Sequence, residues 1–173
     1  VDEALGRREV GGLVENAPQL GAHVIEISEE VLEEDRTCRE AIECQTVRLF
    51  AERAAEIEKE QMRELARFLE AIEEKMFAGD HPEMEKMHQL FPRHHSAFHL
   101  AVAQISGAHA LYRQMKRLWF RRPMATGDLH HVLLPVPNHR HPDLVEALAC
   151  GDPEPAEHHM RPHVSFRRCK FSA

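Results

Sequence analysis

From Thr37 to Phe77 the apolar positions recur with a helical period. Ala41, Ile42, Val47, Leu49, Phe50, Ala54 and Ile57 form one stripe, and Leu65, Phe68, Leu69, Ile72 and Met76 resume it after a break near residue 58. Ser28, just before Glu29 and Glu30, suits an N-cap for this stretch, with Val31 the first apolar residue inside. "AGDHPE" interrupts the pattern, with Asp80 or His81 as a cap and Pro82 in the first turn that follows. Pro92 marks a further helix start ahead of "RHHSAFHLAVAQI", which Ser106-Gly107 ends. Ala108 to Phe120 reads as the next helix and Thr126–Leu134 as another, before "PVPN" breaks the chain. "HPDLVEALACGD" is a short helix with Pro142 near its start, and "PEPAEHHMRPHVSFRR" opens a last one in which Pro162 is a difficulty.

The first 27 residues differ. Residues 1–11 fit a short helix, with Val1, Ala4, Leu5 and Arg8 on one side and Gly11-Gly12 as the stop. Two β-like runs, Leu13–Glu15 and His23–Ile27, flank a turn containing Pro18 and Gly21. The expected fold is therefore mainly α: an antiparallel bundle of six to seven helices with short loops, preceded by a short helix and a β-hairpin. Metal and ligand sites in such bundles lie in the core, between facing helices.

Composition narrows the function classes. With 22 Lys and Arg against 29 Asp and Glu, the net charge is −7, which excludes a general polyanion binder. Cys38, Cys44, Cys150 and Cys169 form no C-x-x-C and match no zinc module, so idle thiols in a reducing cytoplasm are expected. No apolar run approaches membrane-spanning length, and no signal-peptide pattern opens the sequence. There is no G-x-S-x-G, H-E-x-x-H or Gly-rich phosphate loop, so nucleophilic catalysis finds no support.

Histidine is the residue that changes the picture. His95 and His99, four apart in "RHHSAFHLAVAQISG", share one helix face and can hold a divalent metal between them. Yet 14 His scattered at random give about one such pair, and His159 and His163 make a second. The pair needs ligands from elsewhere in the chain. Arg39 and Glu43 have the same spacing; they read either as a helix-surface ion pair or, turned inward, as a guanidinium clamp for a carboxylate. "MKRLWFRRP" (Met115 to Pro123) is read as a helix end in which Leu118, Trp119 and Phe120 pack while Lys and Arg complement the helix dipole, in preference to a nucleic-acid stacking patch.

Four stretches, in order along the chain, carry a family likeness. "VDEALGRREVGGLVENAPQLGAHVIEIS" looks like a recognition helix followed by a wing, and "REAIECQTVRLFAERA" like an Arg-x-x-x-Glu first helix of a sensing domain. "HSAFH" resembles an Asp-x-x-Phe-His motif, and "HPDLVEALACGDPEPAEHHMRPHV" a closing run that begins and ends in His. Together they resemble the GntR-type bacterial transcription regulators of the FadR subgroup, which join a winged helix-turn-helix to an all-helical ligand-sensing (FCD) domain. The resemblance implies a partial winged domain over residues 1–27 and a helical effector- and metal-binding domain over 28–173.

It also implies a site. In this family a carboxylate and three His from separate helices hold a divalent metal; by position, His95 stands for the carboxylate and His99, His141 and His163 for the three His. With His95 in place of a hard oxygen ligand, preference shifts from manganese or magnesium to zinc, nickel or copper, zinc and nickel foremost. His159, one turn before His163, is a rival for the place of His95. Arg39 becomes the clamp for a small carboxylic-acid effector. The partners implied are that effector, operator DNA and a second copy of the chain, with no membrane. Asp2 and Arg7 fall where the family contacts DNA, and Asp2 replaces the usual Arg there. Because the sequence opens at the recognition helix and carries Asp2, weak operator binding is expected. The function implied is a metabolite-responsive regulator and not an enzyme. A metal-dependent hydrolase or a purely structural metal site remain the alternatives.

Overall fold

The computed structural model describes residues 14–17, 21–24, 28–77, 83–125 and 140–165. Strands β1 (Val14–Ala17) and β2 (Gly21–Val24) form an antiparallel hairpin in the register Val14↔Val24 to Ala17↔Gly21. Among the described residues six helices follow: α1 (Glu29–Arg53), α2 (Glu56–Phe77), α3 (Met84–Ile105), α4 (His109–Ala125), α5 (His141–Ala149) and α6 (Pro153–Ser165). The expected helix over residues 1–11, with Asp2 and Arg7, and that over 126–134 lie outside the described residues. So do the caps expected at Asp80 and His81; Glu83 stands at the N-cap position of α3.

Local chemistry sets the helix ends. The Ser28 hydroxyl accepts from the Val31 N–H at 3.4 Å and caps α1. The break between α1 and α2 falls at Ala54-Ala55, ahead of the expected position near 58. There Ala54 is extended, and the Glu58 carboxylate reaches back to accept from the Ala55 N–H at 2.8 Å. That half of a capping box places Ala55 at the N-cap, three residues before Glu58. Gly107, with φ of 72°, makes the turn between α3 and α4, and Arg53 Nη1 donates to the Ser106 carbonyl at 2.9 Å to tie that turn to the end of α1.

Two prolines do not break helices as expected. α3 runs through Pro92 and α6 through Pro162. In α3 the stripe Met87, Phe91, His95, Phe98 and Val102 is buried on both sides of Pro92. An interior proline costs about 3 kcal/mol. Each buried large apolar side chain returns about 1.5–3 kcal/mol, so the shared buried face outweighs the lost hydrogen bond. Ala156, Met160, His163 and Val164 do the same across Pro162.

α1 is the helix the others share. It packs most extensively on α6 and also meets α3, α4 and α5, while α2 packs on α3 and α5. Val47, Phe50, Leu69, Phe98, Leu144, Leu148 and Met160 form the centre of the main core. A smaller cluster of Ala103, Met115 and Trp119 joins α4 to α3 and α1. Two residues of the expected stripe are solvent-facing instead: Ile57 and Phe68 are 67% and 45% exposed. Ala41 is exposed as well. No helix among the described residues is long and apolar enough to cross a membrane.

Cys44 sits inside this core, and burial pushes its thiol up to about 11. Cys38 and Cys150 are exposed. A raised pKa leaves less thiolate at pH 8, so Cys44 is expected to alkylate about 100-fold more slowly than an ordinary free thiol. Mass spectrometry of iodoacetamide-treated native protein checks this; labelling of Cys44 as fast as of Cys38 would contradict the packing.

Candidate metal centre

Three helices bring four imidazoles together. His95 and His99 lie one turn apart on the buried face of α3, His141 is the first residue of α5, and His163 lies in the last turn of α6. All four are buried, at 6%, 1%, 0% and 6% exposure. One ring nitrogen from each falls within 4.8 Å of the others. His99 Nε2 is 3.3 Å from both His95 Nε2 and His163 Nε2. Four ligands about 2.0–2.1 Å from a tetrahedral zinc stand about 3.3–3.4 Å apart, so these contacts match the edge of such a site. The donor set is chemically suited to a borderline transition metal.

Apolar rings wall the cluster. Phe98 stands edge-on to His99 and His141, with centroids 5.4 and 5.1 Å away. Phe91 stacks on His95 at 5.2 Å, and Trp119 lies 5.2 Å from His99 and 5.3 Å from His95. This packing gives the cluster apolar surroundings, in which any electrostatic interaction is stronger.

Carboxylates stand behind two of the rings. Glu43 Oε2 is 2.6 Å from His99 Nδ1. Glu73 Oε2 is 3.7 Å from His141 Nδ1, and Arg140 pairs with Glu70, which ties the start of α5 to α2. Glu43 is 1% exposed. Burial alone would raise its pKa, but the adjacent Arg39 guanidinium and His99 outweigh that and hold it down to about 2. Arg39 Nε donates to Glu43 Oε1 at 2.9 Å, and its Nη2 is 2.8 Å from the same oxygen. The guanidinium also lies over the Trp119 ring, 4.1 Å from its centroid.

The sequence-derived residues thus have definite places. His95, His99, His141 and His163 converge. His159 is exposed and sits against His158, away from the cluster, so it does not take the place of His95. Arg39 and Glu43 do pair, but the pair is buried and not on the helix surface. Arg39 connects to the histidines through Glu43 and Trp119. The contact from Glu43 to His99 was not anticipated. Its signal was present: Arg39, Glu43, Val47 and Phe50 follow one helical stripe, so a charged pair continued an apolar face. Trp119 packs as expected, and Lys116 and Arg117 are exposed.

Comparison with known proteins agrees with this architecture. The FCD domain family matches residues 36–166. The solved structure of McbR/YncC from E. coli is 22% identical, with a TM-score of 0.63 over 95% of this chain and 79% of that one, a likeness of fold. No curated protein matches. With its helical bundle and most of its length within that family's bounds, the chain belongs to the FCD family of GntR-type transcription regulators.

Proposed function

We propose that the bundle is a metal-dependent sensor of a small carboxylic acid within a metabolite-responsive transcription regulator. The observation that carries this reading is the buried convergence of His95, His99, His141 and His163. These residues would hold one divalent transition metal, zinc or nickel foremost, and an ion that takes a further ligand beside the four imidazoles would supply a Lewis-acidic centre for an effector carboxylate or hydroxyl. Arg39 would address the effector through Nη1, since Nε and Nη2 face Glu43. Effector binding would then shift the helices that meet on α1 and change how DNA is engaged.

The wider arrangement follows the family. Residues 1–27 would form part of a winged helix-turn-helix, with the β1–β2 hairpin as wing and Asp2 and Arg7 facing DNA. Residues 28–173 would form the sensing domain. A cytoplasmic homodimer reading a two-fold operator is the expected assembly.

Elemental analysis of the purified chain, paired with calorimetry against hydroxy acids and dicarboxylates, tests the proposal. About one metal per chain is expected, as is an acid whose binding is lost on chelation and weakened by Arg39→Lys, which keeps the charge but not the planar fork. Affinity indifferent to both treatments would place the effector elsewhere.

A further inference from the structure

We infer that Glu43 is a positioning residue that presets His99 as a ligand, holding the proton on Nδ1 so that Nε2 turns its lone pair toward the other three histidines. This deepens the metal reading above and rests on it. Glu43 comes from α1 and His99 from α3, so the contact spans two helices. Both are essentially fully buried, and Oε2 lies 2.6 Å from Nδ1. The other carboxylate oxygen, Oε1, is engaged by Arg39 Nε and Nη2.

The tautomer follows from the donor and acceptor inventory. At 2.6 Å Oε2 and Nδ1 need a hydrogen between them, and with the Arg39 cation on Oε1 the carboxylate is the acceptor, which puts that hydrogen on His99 Nδ1. A neutral imidazole has one N–H, so Nε2 then carries the lone pair. That nitrogen is the one 3.3 Å from His95 Nε2 and His163 Nε2. Its single lone pair can accept from one of them at a time. Ligation by His99 would therefore need neither a tautomer change nor a ring flip, while the ring's far side stays fixed. Ligands oriented in advance lower the cost of binding, and loss of such an outer carboxylate typically weakens metal affinity by about 10–100-fold.

Arg39 and Trp119 hold Glu43 in this role. The guanidinium lies between the carboxylate and the indole face, 4.1 Å from the ring centroid, and the same indole lies 5.2 Å from His99. The elements form a chain from cation to carboxylate to imidazole, closed by one aromatic ring.

Nitrogen-15 NMR of the metal-free full chain, with the His99 signals assigned from a His99→Asn spectrum, reads the tautomer directly. A protonated Nδ1 and a bare Nε2 are expected. Zinc competition against a chromophoric chelator is then measured for the unaltered chain and for Glu43→Gln, whose shape is the same but whose amide can donate to Nδ1. The variant is expected to bind zinc about 10–100-fold more weakly and to show a population of the Nε2–H form. A protonated His99 Nε2 in the unaltered chain would overturn the inference, and so would Glu43→Gln with unchanged zinc affinity. If the unaltered chain shows the expected tautomer but binds no zinc, the metal reading falls and takes the positioning role with it. Because the NMR needs no metal, the two failures are told apart.

Discussion

Stripping the protein of metal is expected to lower its melting temperature by about 8–16 °C. Free metal at 1,000 times its dissociation constant stabilises the folded state by about 4 kcal/mol. In a chain of this size each kcal/mol corresponds to about 2–4 °C. The effect should be large because the four imidazoles come from α3, α5 and α6, so one ion would cross-link three helices that otherwise meet through the apolar core. The double substitution His99→Ala with His141→Ala should reduce metal content from about one per chain to under about a tenth, since two of four ligands are lost. It should also abolish the chelator's effect on melting. Differential scanning fluorimetry with and without a strong chelator, alongside elemental analysis, makes the comparison. Full occupancy in the double variant, or identical melting with and without chelator in the unaltered protein, would remove the site from consideration.

Arg39→Ala is expected to destabilise the fold by about 3–5 kcal/mol, because removing one partner of a buried ion pair leaves the other charge uncompensated. Glu43, left behind at 1% exposure, would lose both Arg39 contacts. The void left beside Trp119 adds to the loss. Urea denaturation without any effector is the relevant measurement. Were Arg39 solely an effector clamp on a helix surface, this substitution would leave stability within about 0.5 kcal/mol. A midpoint unchanged from the parent would therefore refute the buried pair.

The helices were legible because each carries its own periodic record. Ser28 as cap, Gly107 as terminator and the apolar register of α1 to α3 are local signals, and local backbone preferences decide them. The convergence of His95, His99, His141 and His163 was legible only through the family likeness. Spacing alone could not separate His95 and His99 from His159 and His163, since each pair lies four apart.

The hairpin shows the limit of strand reading. Its two strands form close to where alternation placed them, though β2 begins at Gly21 in place of His23. Pairing register depends on both strands at once, which a single run does not contain.

What the sequence determined by itself, then, was the succession of amphipathic helices and the residue types available on each. Tertiary structure decided the rest. Pro92 and Pro162 stay inside helices because burial on both sides compensates a local defect, and no local window contains that compensation. Ile57 and Phe68 keep the helical period yet face outward, because a stripe is buried only where another helix covers it. Arg39 and Glu43 leave the surface because α4 brings Trp119 over one and α3 brings His99 to the other. His163 joins the cluster and His159 does not, although they share a helix, because only one face of α6 meets α1 and α5. Helical period is a property of consecutive residues; convergence of side chains from three helices is a property of how those helices pack.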